Sequence, residues 1–497
     1  MKKSKSPSFV LTLKLNTTPS DARLLEERFF SAFLMKNRLI RHARKRLSAM
    51  KQDKEYRRLM SERKLITGNK DAMSKHRKAE IGKDLARIRM YYGLSEYQFH
   101  EWISLQQHRY KKHIDSLTAQ KIATAVWQAV EACLFRKGKS LHFQKLDTLL
   151  TLEGKNNASG IRFKDGRLRW NGLVIQPQLR KGDHYAREAL MHRIKYCRIK
   201  RMAMGTRYHY YLELVLEGIP PRKHSFMDGC VGIDPGTSSE AVFSEHGCIL
   251  TELASGRKNI QRQVNRLSQR LDRSRRANNP NNYNNDGTIK RGRKTWVKSK
   301  AYKHIQMRLK ALRRRNAALV KQSEEMLANE ILEHHGSDII TEKMDYKALQ
   351  LKAKDDKVSE KTGRHRSRKR FGKSLLGHAP ARFLSILERK LSYVGKTINY
   401  VNTWEFKASQ YDHVAGDYEK VSLSSRSKFI GTDRVQRDLY SAFLLYCAKD
   451  DISIDNDLCI ETFPLFLNHQ GSCINDLLTR NDKHILSSFG LKDFAAD

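Results

Sequence analysis

Three carboxylates stand where the chain leaves a buried strand or enters a helix. Val231-Gly232-Ile233-Asp234-Pro235-Gly236 is a short apolar run that ends in an acid and turns at once. Gly236 has no side chain to block an approaching ion or phosphate, and it accepts turn dihedrals that other residues resist. Ser337-Asp338-Ile339-Ile340-Thr341-Glu342 is a second apolar run closed by an acid. Val435-Gln436-Arg437-Asp438-Leu439-Tyr440-Ser441-Ala442-Phe443 places a third acid, Asp438, at the start of a helix-like segment. Any one of these is commonly structural; their recurrence in matching settings singles them out. Carboxylates converging from separate elements can hold two divalent cations about 4 Å apart over a phosphodiester, one activating water and one stabilising the leaving oxygen. Oxygen ligands suit Mg²⁺, and Mn²⁺ is a possible substitute. Asp433 competes for the third position. Asp345 competes less well for the second, because it falls after the expected strand.

The elements that must position these acids alternate between strand and helix periods. Phe9 to Leu15 alternates and predicts a strand, and Pro19-Ser20-Asp21 opens a helix. From Arg41 to about Gly138 the pattern is helical and charged, interrupted at Tyr91-Tyr92-Gly93-Leu94-Ser95. Leu146 to Leu152 is strand-like, and Ile161 to Trp170 reads as a hairpin turned by Asp165-Gly166. Ile194 to Arg201 and Arg207 to Leu216 are two more strands, so this region predicts a small β-barrel or curled sheet. From Cys230, three antiparallel strands precede two long helices. One carries Ile260, Val264, Leu267 and Leu271 in a stripe; the other carries Ile305, Leu309, Leu312, Leu319 and Met326. Pro380 to Tyr393 reads as a further helix.

The charge identifies a partner. The 497 residues carry a net charge of +43, which makes a compact state repel itself unless a polyanion neutralises it. A long nucleic acid does so with release of counterions. The candidate contacts are Arg291, Arg293, Lys298, Lys300, Arg313 and Arg314 around the helical pair, and Arg368 and Arg370 in a second basic loop. The seven cysteines include no C-x-x-C pair, so neither a structural zinc site nor a disulfide framework is expected. No apolar run is long enough to span a bilayer, and no secretory leader is read. The expected location is the prokaryotic cytoplasm, at the nucleoid, without a membrane partner. Monomer and dimer both fit.

Strand acid, strand acid, helix acid is the order of an RNase-H-type nuclease core. Gly232-Ile233-Asp234-Pro235-Gly236, Thr341-Glu342-Lys343-Met344 and Arg437-Asp438-Leu439-Tyr440-Ser441-Ala442 resemble the three RuvC motifs of transposon-encoded TnpB proteins and of the compact type V CRISPR effectors related to them. The Arg-rich hairpin between the first two acids, the segment Phe383 to Tyr393, and the order of the N-terminal half are similar as well. The resemblance implies an α+β multidomain fold. A wedge β-barrel (1–20 and 139–225) would be interrupted by a helical recognition lobe (21–138). A RuvC nuclease of RNase H-like α/β type (226–450) would follow, with a helical lid (255–335) and a degenerate ribbon insert (405–433). The tail 451–497 lies outside the resemblance. Implied partners are a guide RNA and target double-stranded DNA, and the implied activity is Mg²⁺-dependent DNA cleavage with Asp234, Glu342 and Asp438 as metal ligands. Two departures stand out. Asp412 and Ala415 occupy positions where the family's ribbon has cysteines, which predicts a ribbon held by packing. Ser441 stands where Asn is usual. The rival readings are a cleavage-deficient RNA-guided binder, a guide-independent transposase or resolvase, and a structural RNA-binding protein.

Overall fold

The computed structural model describes residues 6–494 except 69–70, 136–137, 139, 223–224, 256–259, 352–357, 359–362, 364, 366–370, 421, 423–424 and 450–452. The chain divides into two units, Met1–Pro221 with Lys303–Ala311, and Arg222–Tyr302 with Leu312–Asp497.

In the first unit, strand β1 (Ser8–Lys14) turns Phe9, Leu11 and Leu13 inward. Helix α1 (Pro19–Gln52) begins at a capping box in which Thr18 and Asp21 satisfy each other's backbone N–H. Helices α2 (Lys54–Leu65), α3 (Ala72–Tyr91), α4 (Glu96–Tyr110) and α5 (Ser116–Phe135) follow. The expected break at Tyr91–Ser95 is present. Further breaks fall before α2 and α3, where Asp53 and Asp71 accept backbone N–H groups as caps. Strand β2 (Thr151–Glu153) is shorter than the run expected from Leu146 to Leu152. The reason is Arg201, whose guanidinium takes the Leu146 and Leu149 carbonyls out of any ladder. Strands β3 (Arg162–Lys164), β4 (Arg167–Trp170) and β5 (Leu173–Ile175) form a three-stranded sheet. Its first turn has Asp165 and Gly166 at φ 53° and 69°, and its second has Asn171 and Gly172 at 42° and 77°. Short α6 (His184–Ala189) leads to the long hairpin of β6 (Ile194–Met204) and β7 (Arg207–Glu217). These pair in the order β1-β7-β6-β2. Among the described residues the strands form two sheets, with three-residue β2 at one edge of the first, and an isolated bridge between Leu15 and Pro177 joins the end of β1 to the chain just after β5.

In the second unit, β8 (Cys230–Pro235), β9 (Ser239–Ser244) and β10 (Gly247–Glu252) run antiparallel. Helices α7 (Gln261–Ala277) and α8 (Lys300–His334) precede β11 (Asp338–Glu342), which lies parallel to β8. Next come α9 (Tyr346–Leu349), α10 (Gly372–His378), α11 (Pro380–Leu391) and β12 (Asn399–Val401), the last parallel to β11. One-turn α12 (Thr403–Phe406) and the paired strands β13 (Tyr411–Asp412) with β14 (Asp417–Tyr418) and β15 (Ser427–Ile430) with β16 (Asp433–Gln436) lead to α13 (Arg437–Tyr446), α14 (Asn456–Arg480) and α15 (Lys483–Ser488). The central sheet has the order β10-β9-β8-β11-β12. On one face Ala241, Phe243 and Leu250 pack with Leu439, Tyr440 and Phe443 of α13 and Phe466 of α14. On the other, Val231, Ile233, Val242 and Ile339 pack with Ala328, Ile331 and Leu332 of α8 and Phe383 and Leu387 of α11. Each large side chain so buried stabilises the unit by about 1.5–3 kcal/mol.

Two expectations change. The segment after 450 is not a separate tail: Cys459, Phe466, Ile474, Phe489 and Leu491 belong to the core. Nor is α8 a lid throughout, because its C-terminal turns are buried under the sheet, while Met326 of the predicted stripe is 63% exposed. Among the described residues no helix is long and apolar enough to cross a membrane.

Candidate functional site

Strand register brings the first two acids together. Ile340 pairs with Gly232 and Thr341 with Ile233, so the next step along both strands sets Glu342 beside Asp234. The Thr341 hydroxyl donates to the Ile233 carbonyl at 2.8 Å and ties the two strands just before their acids. Side chains alternate along a strand, so Asp234 shares a face with Gly232. That face meets α13 backbone to backbone: a Cβ on Gly232 would lie 2.0 Å from the Ala442 carbonyl oxygen and 2.5 Å from the Tyr446 nitrogen. Asp438 precedes Ala442 by about one helical turn and stands in the first turn of α13. The turn after Asp234 is fixed by the Gly236 N–H donating to the Ser239 carbonyl at 2.9 Å, and by the Ser374 hydroxyl donating to the Thr237 carbonyl at 3.0 Å.

The electrostatics agree with this convergence. Burial pushes the Asp234 carboxyl well above the usual carboxylate range; Asp438 and Glu342 push it further, and Arg437 opposes them. Asp234 nevertheless keeps a partial opening to solvent. Burial raises Glu342 to about 6, against a hydrogen bond from the Ala408 backbone N–H. Asp438 is paired with two cations, Arg426 at 3.2 Å and Arg437 at 3.0 Å.

The start of α13 is set by two glutamines that sequence reasoning missed. Gln436 caps the helix by accepting from the Leu439 N–H at 2.8 Å. The Gln436 N–H in turn donates to the Gln470 side chain at 2.7 Å, and Gln470 donates to the Arg434 carbonyl at 3.1 Å. Gln is not among the preferred caps, so only its place one residue before the helix signals the role. The rival acids are otherwise employed or placed. Asp345 caps α9 by accepting from Lys347 and Ala348, and Asp433 is exposed at the start of β16.

As a donor set, three carboxylates offer hard oxygen ligands of the kind Mg²⁺ or Mn²⁺ takes. Their mutual repulsion is what a divalent cation relieves. Among the described residues, however, no group of three or more His, Cys, Asp or Glu side chains is arranged to hold a metal ion. The acids share a neighbourhood, and Asp438 is turned to its arginines.

Of the candidate contacts for nucleic acid, Arg291, Arg293, Lys298, Lys300 and Arg313 are exposed and Arg314 is half-buried. Arg368 and Arg370 lie outside the described residues. In the ribbon segment, Asp412 accepts from the Val414 and Ala415 N–H groups, and buried His413 hydrogen bonds through Nδ1 to the Tyr440 hydroxyl at 2.8 Å.

No protein-family model matches the chain, and no curated protein does. Among solved structures, a cryo-EM structure of a Cas12f1–sgRNA–target DNA complex is similar at 11% identity, over 88% of this chain and 98% of that one, with a TM-score of 0.39. A cryo-EM structure of a CRISPR-Cas12f ternary complex is similar at 12% identity, over 88% of this chain and 87% of that one, with a TM-score of 0.25. At those scores the likeness decides nothing about this chain, whose reading rests on its own carboxylates.

Proposed function

We propose that the chain is an RNA-guided DNA endonuclease with a single active site at Asp234, Glu342 and Asp438. The observation that supports it most is placement: the register of β8 and β11 sets Asp234 and Glu342 side by side at the C-terminal edge of parallel strands, and the packing of α13 on Gly232 brings Asp438 into their neighbourhood. The strand order, three antiparallel strands followed by two parallel ones, is that of an RNase-H-type core. Bound divalent cations would supply water activation and relief of charge on the leaving oxygen. The chain's own residues do the rest. Asp234 and Glu342 are fixed by strand register, and Asp438 by a capped helix. Arg426 and Arg437 neutralise Asp438 until a ligand takes their place. The excess of positive charge supports a guide RNA and target double-stranded DNA as partners, as does the motif resemblance.

The test is guide-dependent plasmid cleavage by the complex purified with its RNA. Asp234→Ala should abolish cutting and leave RNA binding intact; cutting retained in that variant refutes the assignment. Unchanged activity after RNase treatment would instead identify a guide-independent transposase or resolvase. A second reading, an RNA-guided DNA binder that does not cut, is favoured by the pairing of Asp438 with Arg426 and Arg437. Target binding without cleavage in either Mg²⁺ or Mn²⁺ would establish it.

A further inference from the structure

Trp404 stands in a short loop that leaves the strand beside Glu342. Val401, at the end of β12, is the strand partner of Glu342. Seven residues later the chain is buried again at Ala408. Between them the chain makes the single turn of α12. Asn402 caps it by accepting from the Trp404 N–H at 3.2 Å, and the Thr403 hydroxyl donates to the Lys343 carbonyl at 3.4 Å. Phe406 and Ala408 are buried at 4% and 0% exposure. Lys407, at φ 47°, reverses the chain between them.

This fixed loop turns Trp404 outward. It is 86% exposed, although an indole is among the side chains that gain most from burial. At most three residues of chain separate it from the partner of Glu342, so its Cα lies within roughly 15 Å of that strand position. Lys343, whose carbonyl holds the Thr403 hydroxyl, and Lys407, whose ammonium lies over the Tyr418 ring at 5.6 Å, are exposed, as is Glu405. An open aromatic face on a basic chain has the chemistry that receives an unpaired base.

We propose that Trp404 is a stacking platform for an unpaired base of the DNA strand held at the carboxylates, fixing which phosphate stands over them. The proposal rests on the nucleic-acid reading above, yet its test does not require cleavage. In an Asp234→Ala background, the RNA-bound protein would be titrated with a complementary single-stranded DNA carrying 2-aminopurine at successive positions near the cleavage site. With Trp404 present, fluorescence should be quenched at one or two positions. Trp404→Ala should remove that quench and weaken binding roughly tenfold. The slope of affinity against salt should not change, because stacking releases no counterions. Trp404→Phe should restore most of the binding, and both variants should keep the parent's melting temperature. With Asp234 intact, Trp404→Ala should blur the cut position.

Equal quench and affinity in Trp404→Ala would overturn the proposal. So would a change of oligomeric state by light scattering with DNA binding intact, which would make Trp404 a protein contact. If Asp234→Ala proves not to affect cleavage but the Trp404 quench is seen, the nuclease assignment fails and the stacking site stands.

Discussion

Arg28 and Arg201 lie inside the first unit at 1% exposure each. Arg201 donates to the Leu149 and Leu146 carbonyls at 2.9 and 2.6 Å and to Glu26 at 2.6 Å, and lies over the rings of Phe29 and Tyr208. Arg28 donates to the Trp170 and Asn171 carbonyls at 2.8 Å each, with its guanidinium over the Trp170 ring. Burial still lowers Arg28 to about 10. The interior of the second unit holds carboxyl groups and treats them unevenly: Glu324, at 0% exposure, is paired twice with Arg382, and Glu240 is not. Among the described residues both oxygens of Glu240, at 0% exposure, lack a hydrogen-bond partner, as does the hydroxyl of nearby Tyr346. Asp234 is pressed by its fellow acids from one side and acts on Glu240 across the sheet. A buried ionisable group given partners specifies a fold, whereas one left without them costs stability and stays available to a ligand.

The hardest blow to this contrast would come from Asp234→Ala. Cleavage should fall about a thousandfold or more, measured as initial rate on a guided plasmid target, while the melting temperature should hold or rise as repulsion is relieved. A variant that cut normally but melted early would make Asp234 structural, like Arg201. The converse is Arg201→Met, which strands the Leu149 and Leu146 carbonyls and should cost about 3 kcal/mol, read from the denaturation midpoint of the first unit. Next is the pH profile. Glu342, raised to about 6, is protonated below that value and cannot serve a cation. At limiting Mg²⁺ the cleavage rate should therefore drop roughly tenfold per pH unit below about 6, and added Mg²⁺ should move the fall to lower pH. The smallest effect tests Glu240. Its folded carboxyl is raised by burial, then by Asp234 and Glu324. The folded state therefore holds a proton that the unfolded chain releases. Stability is greatest below the ordinary carboxylate pKa and declines as pH rises toward the folded value. Glu240→Gln should flatten that decline and gain about 1 kcal/mol at neutral pH, measured by chemical denaturation at several pH values.

The parts legible in the sequence were those written locally. Asp165-Gly166 named its turn because both residues tolerate positive φ, and the strand that carries Asp234 ends one residue later than expected, with Pro235 still paired to Glu240 and the turn starting at Gly236. Asn171-Gly172 carries the same chemistry and makes the second turn of that sheet, yet the hairpin reading stopped at Trp170. The contribution of α14 was hidden because Pro464 interrupts its helical pattern, and its partners lie on strands two hundred residues earlier. The pairing of Gln470 with Gln436 across 34 residues, and of Arg426 with Asp438 across a hairpin, are facts of folding that no local pattern carries. Motif spacing selected Glu342 over Asp345 for a sound reason: the strand ends at the former, and the latter is spent on a cap.

Gly232 supplies nothing to the chemistry except an absence, since its bare Cα lets α13 rest on β8. A single methyl group there would lift the helix and carry Asp438 away from the two strand-borne acids. If the proposed nuclease reading holds, cutting would thus be lost in one step with every carboxylate still in place and the basic surface untouched. In chains built this way, a tally of acidic residues cannot separate cutters from silent binders; the residue under the helix must be read as well.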